Sequence, residues 1–397
     1  MADSSATSCI FHGLVGERRR GGVEAPQTIT NECSQVKRRA LFGFGTAPPS
    51  ASQTPPINGE DTFHMSRVVV IGGGVIGCAV AERLSLDRHQ VTLLERDQLA
   101  GRASGAAAGE LSPARPSDAQ SLAMFPELVA RVEKDSGMNV EFRVQQGLKP
   151  AFTDDEAAAL KKEGGRWVDP AECRKIEHAV NPDALGAVLI EHAHLTPPRF
   201  VRALARASAS RGAEICEGTP ATGFDVAGHR ARGVRTPDGI TAADWIVIAA
   251  GPWTREVALS AGIDVEVRPQ RGQLAALDPG SLILRRSVFW SNGYLVPKGD
   301  GSIIAGGTEE DSGFDDRPTV EGIARLLELS RKLVPALAAA TLQRVWAGLR
   351  PVTPDGRPIV AASTLRNLIV ATGHHRKGIL LAPLAAAQVA DIINRAK

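Results

Sequence analysis

Two periods of apolar spacing divide this chain. Val68 to Ile71 is a β-branched run of strand length. It passes directly into Gly72-Gly-Gly74-Val-Ile-Gly77 and then into small and apolar residues, Cys78 to Leu84, that read as a helix. Gln90 to Leu94 reads as a second strand and ends on Glu95. Further helices are expected at 121–136, 154–163, 169–177, 197–212 and 320–333. The helix at 197–212 carries Phe200, Val201, Leu204 and Ala205 on one side. A short strand is expected at 213–216, and a hairpin at 224–226 and 231–236 turns around Ala227-Gly228. Pro237-Asp238-Gly239 turns the chain again. The run 244–251 is a buried strand ending in Gly251. Shorter runs at 263–267, 274–277, 287–290, 294–297 and 302–306 read as strands of an antiparallel sheet. The strand 368–372 and the apolar helix 378–394 close the chain. Strand–helix units therefore occur at both ends and in the middle, with antiparallel strands between them. The expected fold class is α/β: a Rossmann-like nucleotide-binding domain, discontinuous in sequence, with a mixed or antiparallel-sheet substrate domain inserted into it.

Composition changes this picture at one place, the first 64 residues. They are rich in Ser, Thr, Pro and Gly, lack sustained apolar periodicity and carry cancelling charges. A disordered N-terminal extension, 1–64, is expected; with Met65 just before the first strand it reads first as an upstream extension of the reading frame and second as a weak targeting segment. The 397-residue length suits two domains, and a net charge of +2 gives no reason to expect a nucleic-acid partner. No apolar run reaches the ~20 residues of a membrane span. The five cysteines, Cys9, Cys33, Cys78, Cys173 and Cys216, have no CxxC spacing. They fit a reducing compartment, and a cytoplasmic location is expected.

The candidate chemistry starts at the glycines. Gly72 permits a tight turn, Gly74 lets the backbone approach a pyrophosphate, and Gly77 lets helix and strand pack closely. The helix start offers N–H groups to phosphates, and Glu95 offers its carboxylate to a ribose diol. The loop Gly101 to Pro113, nearly free of bulky side chains from Ala103 to Gly109, leaves a strand end beside Glu95, where open α/β sheets bind ligands. Arg350, in Trp346-Ala-Gly-Leu-Arg350-Pro, offers a guanidinium able to grip a carboxylate with two parallel bonds; as a residue type alone it also suits an ordinary surface position. Gly373-His-His-Arg-Lys-Gly378 joins a strand to an apolar helix. The adjacent His374 and His375 point apart and no cysteine or carboxylate cluster accompanies them, so no metal site is expected.

On these segments the chain from Arg67 to Lys397 resembles the FAD-dependent D-amino-acid oxidase superfamily, most closely its glycine oxidase branch, the enzyme of thiamine thiazole synthesis. Three segments carry the likeness: 69–77, 104–109, and the pair 347–351 with 373–383. The resemblance implies non-covalent FAD, with Val75 and Ile76 at the pyrophosphate and Glu95 and Arg96 at the adenosine ribose. It places Ala103, Ser104, Ala108, Gly109 and Glu110 along the phosphate and flavin, and Ala221 at the adenine. Gly251 is counted with the cofactor site. His374, His375, Arg376, Lys377, Gly378, Ile379 and Leu380 wrap the isoalloxazine. Arg350 matches the carboxylate-binding arginine, Arg376 a second arginine near the substrate, and Tyr294 the active-site tyrosine. The implied domains are 65–112, 199–262 and 349–397 for the cofactor, and 113–198 and 263–348 for the substrate.

The implied reaction is oxidative deamination of glycine or a small D-amino acid. Hydride leaves Cα, the amine is neutral, Arg350 sets the orientation and molecular oxygen is the acceptor. A D-amino-acid or sarcosine-type dehydrogenase, a flavoprotein without catalysis and a pyridine-nucleotide dehydrogenase are the rival readings, and a homo-oligomer stays open. Three residues depart from the branch. Glu110 stands where methionine is usual, His375 replaces Phe or Tyr, and Lys377 replaces Asn. An ionised Glu110 is expected to repel a substrate carboxylate and attract a cation, unless it pairs with Lys377.

Overall fold

The computed structural model describes residues 65–281 and 284–396, so the expectation for 1–64 lies outside the described residues. In chain order the elements that position the site are β1 (Arg67–Ile71), α1 (Val75–Leu86), β2 (Gln90–Leu94), β3 (Glu110–Leu111), β4 (Arg143–Ala151), β5 (Gly186–His194), α2 (Pro197–Ser210), β6 (Glu214–Cys216), β7 (Trp245–Ile248), β8 (Arg268–Asp278), β9 (Val288–Trp290), β10 (Gly293–Pro297), β11 (Ile303–Gly306), α3 (Val320–Leu333), β12 (Thr341–Val352), β13 (Ile359–Ala362), β14 (Leu368–Thr372) and α4 (Gly378–Arg395).

A six-stranded sheet runs β13-β14-β7-β1-β2-β6. All its pairs are parallel except β13 with β14. Burial on both faces explains the continuous Val/Ile/Leu content of β1, β7 and β14. One face is covered by α1, α2 and α4. Val68, Val70, Val80, Leu84, Leu204, Leu380 and Val389 belong to one core there. Val69, Ile71, Ile246, Ile248 and Val370 point to the other face and a second core. That face also packs on the hairpin sheet 223–242 through Phe224 and Val234.

The other large sheet runs β12-β8-β11-β10-β9-β4-β5-β3, with the short strand Arg166–Val168 added on β5. Its pairs are antiparallel apart from β4 with β9. α3 covers one face, burying Leu326 and Leu333 with Ala275, Leu277, Leu295 and Ile303. The β3 strand joins this sheet, although it falls inside the 65–112 segment expected to bind the cofactor.

Four local readings differ from expectation. Residues 263–267 form no strand; Ile263, Val265 and Val267 are instead buried as an extended lead into β8. The helix expected over 121–136 is two helices, Pro116–Ala123 and Phe125–Ser136, each with a proline in its first turn. Strands β3, β4, β5, β12 and β13 have no counterpart in the sequence reading. β4 and β12 begin with runs of consecutive exposed positions that mix polar residues with Val144, Leu342 and Val345, so neither shows an in–out apolar alternation. Finally, the helical segment 375–395, which passes through Pro383, is long and apolar enough to cross a membrane. It is the central core helix against α1, with ten of its residues buried.

Candidate active site

Between the two sheets lies a cavity of about 1130 Å³. This exceeds the ~300–1,000 Å³ of ordinary small-molecule pockets. It begins at the carboxyl ends of β1 and β2 and ends at the faces of β8, β10 and β12.

At the first end, Gly72 sits at φ +115°, and a Cβ there would lie 2.4 Å from the Ala249 carbonyl oxygen. The turn therefore closes against β7 only without a side chain. Gly74 caps α1 without any side-chain cap, and no acidic residue occupies the helix's first turn. The helix's positive end is thus left facing the cavity. Ser104 Oγ accepts from Val75 N–H at 2.9 Å and ties the small-residue loop to this helix start. The Glu95 carboxylate accepts from Gly73 N–H at 2.6 Å and from Asp97 N–H at 2.8 Å. Its lone pairs are not exhausted by two bonds, so it both holds the glycine turn and remains able to accept from a diol. Arg96 lays its guanidinium 4.1 Å from the centre of the Trp253 ring, and Ala221 and Gly251 line the same end.

Around the middle, the small residues Ala103, Ala108 and Gly109 line the cavity. Lys298 fixes that loop from behind, donating to the Ala108 carbonyl and, at 3.1 Å, to that of Leu195. Burial pushes the Lys298 ammonium down to about 8. His374 lines the cavity with both ring nitrogens buried and without a partner among the described residues. Burial pushes it down to about 4, so the ring is neutral.

At the far end, Arg350 donates through Nη1 to the Thr308 carbonyl at 2.7 Å. Its guanidinium lies over Gly272 on the neighbouring strand, where a Cβ would meet Nη2 at 2.1 Å. Tyr294 pairs across the sheet with Gly306, and a Cβ on Gly306 would meet the phenol ring at 2.6 Å. Two glycines thus vacate the space that the two larger side chains fill. Burial raises the Tyr294 pKa, opposed by Arg350 and Arg376. Burial lowers that of Arg350, and Arg376 acts in the same direction. Arg376 sits at the exposed rim, paired with Glu309 at 2.9 Å. His375 Nε2 lies 2.6 Å from Gln270 Oε1, with burial lowering its pKa.

The cavity thus gathers every expected site residue except two. Gly77 and Leu380 lie behind its wall. At Gly77 a Cβ would stand 1.9 Å from the Gly72 oxygen, which is the close helix–strand packing expected of it. Leu380 is a core residue. Glu110 and Lys377 line the cavity but do not pair with each other. Lys377 donates to the Ser112 carbonyl and lies 3.9 Å from Asp118. Glu110 Oε1 is 2.7 Å from His192 Nδ1 and accepts from Ser112 Oγ. His192, Ser287, Gln270, Gly272 and Gly306 were not singled out by the sequence. A histidine within an apolar strand and single glycines carry no signal until their neighbours are known.

The residues fit a dinucleotide: an uncapped helix end at the pyrophosphate position, a carboxylate at the ribose position, and an unpartnered buried imidazole further along. Among the described residues no group of three His, Cys, Asp or Glu is placed to hold a metal.

Comparison with known proteins agrees with the geometry. The family described as FAD dependent oxidoreductase matches residues 67–392. Glycine oxidase of Geobacillus kaustophilus is 34% identical over 356 residues, covering 84% of this chain and 94% of that protein. The bifunctional protein ThiO/ThiG of Trichormus variabilis is 35% identical over 350 residues, covering 82% of this chain; the chain spans only 52% of that relative's length. The crystal structure of glycine oxidase from Bacillus cereus superposes with a TM-score of 0.79 at 28% identity, over 83% of this chain and 97% of that one.

Proposed function

Because the chain belongs to the FAD dependent oxidoreductase family, we propose that it is an FAD-dependent glycine oxidase: glycine, oxygen and water give glyoxylate, ammonia and hydrogen peroxide. The observation that carries this reading is Arg350. Its guanidinium is seated beside Tyr294 at the end of the cavity away from the glycine turn, where it can take an α-carboxylate.

In this reading Gly72, Gly74, Val75 and Ile76 hold the pyrophosphate, and Glu95 with Arg96 and Ala221 holds the adenosine. The loop 103–110, Gly251 and residues 374–379 enclose the flavin. His374, neutral and otherwise unpartnered, is the polar group left for a ligand atom. FAD held by these residues would supply the redox chemistry, a hydride acceptor facing the substrate Cα. The protein supplies orientation: Arg350 fixes the carboxylate, Tyr294 closes on it, and Cα–H is thereby aimed. Apart from β3, the two-sheet division supports domains at 65–112, 199–262 and 349–397 for cofactor and at 113–198 and 263–348 for substrate. A cytoplasmic location and a role in supplying thiazole synthesis belong to the same proposal, supported by the ThiO/ThiG likeness.

The test is peroxide release from the purified protein across glycine, sarcosine and a panel of D-amino acids. Glycine or sarcosine should lead the panel. Flavin reduction by these substrates with no peroxide in air would exclude oxygen as acceptor.

A further inference from the structure

Glu110 stands at the cavity wall with a histidine behind it. Residue 110 begins β3, and β3 pairs with the end of β5. His192 projects from β5 into a sealed space, where Phe289 packs edge-on at 5.3 Å between ring centres. Its Nδ1 lies 2.7 Å from Glu110 Oε1 and its Nε2 2.8 Å from Ser287 Oγ. The arrangement that satisfies every atom has Nδ1–H donating to the carboxylate and the Ser287 hydroxyl donating to Nε2. Ser112 Oγ also donates to Oε1. Both bonds land on one oxygen, and among the described residues none donates to Oε2. Glu110 nevertheless lines the cavity, as do Phe289 and Tyr294, whose ring centres lie 6.5 Å apart. Glu110, Tyr294 and Arg350 line the same cavity, and both charges act on the phenol, the guanidinium lowering its pKa and the carboxylate raising it.

An amino acid enters that space as a zwitterion, and its nitrogen must give up a proton before hydride can leave Cα. We propose that Glu110, held by His192, binds the substrate ammonium opposite Arg350 and accepts its proton. This rests on the amino-acid oxidase reading above. One N–H bond of the ammonium breaks and one O–H bond forms at Oε2. The electron pair stays on nitrogen, and the glutamate becomes a neutral carboxylic acid. His192 is a positioning residue: it fixes Oε1 and leaves Oε2 to the cavity. The cation that an isolated carboxylate here would attract is then the substrate's own. The other charged or titratable groups around Glu110 are His194 on β5, Lys298 after β10, and Lys377 after β14 with Asp118 behind it. Both lysines are committed to carbonyl oxygens, of Ala108 and Leu195 for Lys298 and of Ser112 for Lys377, so neither quenches Glu110 by direct pairing.

Glu110→Gln keeps the size and loses the basicity. Flavin content and thermal midpoint are checked first. Near neutral pH, kcat/KM for glycine should fall by about 10²-fold or more, the range for a positioned acid or base. The loss should shrink at alkaline pH, where free amine is already present. Glu110→Asp should recover part of the neutral-pH rate, and His192→Phe should shift the acid limb while flavin stays bound. A second readout needs no turnover. Holoenzyme is titrated with glycolate, a carboxylate without nitrogen, and with N,N,N-trimethylglycine, a carboxylate with a fixed cation, following the flavin spectrum. Glu110→Gln should weaken trimethylglycine about tenfold through loss of the charge attraction and should not weaken glycolate, whose carboxylate the ionised Glu110 repels. Parallel pH profiles in wild type and Glu110→Gln, or equal weakening of both ligands, would overturn the assignment. Wild-type flavin that no amino acid reduces would instead overturn the oxidase reading on which it rests.

Discussion

Arg350 lies against Gly272 with one nitrogen on the Thr308 carbonyl and the remainder of its fork free for a ligand. Arg350→Lys keeps the charge and loses the paired donors. It should lower kcat/KM for glycine by about 1.5–3 kcal/mol, the range for hydrogen bonds to charged groups, with flavin content unchanged. A near-normal kcat/KM would move carboxylate binding to another residue. His374 gives a prediction of a different kind. Its folded pKa, about 4, lies below the ordinary 6.5. The unfolded chain therefore takes up the proton first as pH falls. The stability tied to the neutral ring is present above 6.5 and is lost as pH drops towards 4. The loss amounts to about 3 kcal/mol at most. His374→Asn should flatten the decline of the urea midpoint over that window. An identical slope would mean that the ring protonates without cost. At this scale legibility depended on motif. Arg350, Tyr294 and His374 were legible only through the family resemblance of their segments, not from residue type or spacing alone. His192 sits in an apolar strand and acquires meaning only when β3 brings Glu110 beside it.

Among elements, the pairing of β8 with β12 places Gly272 opposite Gly348 and Gln270 opposite Arg350. The register, more than the loop after it, seats the guanidinium. Gly272→Ala should push Arg350 aside at little cost in stability, because the colliding atoms end a flexible side chain. A misplacement near 1 Å can cost about 10²-fold in rate, and a fall of that order in kcat/KM with an unchanged thermal midpoint is expected. Unchanged kcat/KM would show that Arg350 has room to spare. The nucleotide-side elements β1, α1, β2, β14 and α4 were legible because burial on both faces writes continuous apolar runs and the glycine turn has one purpose. β4 and β12 were not. Their cross-strand partners supply the burial that their own residues do not announce. The 263–267 segment erred the other way: its alternating apolar residues are buried without a strand partner.

For the whole molecule, the two sheets meet over one cavity that can hold a nucleotide at one end and an amino acid at the other. The α/β class and the inserted antiparallel strands were legible from period alone. The convergence of β3, β10 and β12 was not, since it depends on contacts between residues far apart in the chain. Cys216, the last cysteine, comes before the segment 374–379 proposed to enclose the flavin and leaves it no thiol for a covalent link. Acid precipitation should therefore release all the flavin into the supernatant, and colour kept in the pellet would refute this. The central claim is that bound flavin takes a hydride from glycine held by Arg350. The most direct measurement is anaerobic mixing of the purified protein with glycine while the visible flavin absorption is followed. The account predicts full bleaching, much slower in Arg350→Lys, and recovery on admitting air with one peroxide and one ammonia formed per flavin turned over. Flavin that stays oxidised with glycine, sarcosine and D-amino acids alike would contradict it.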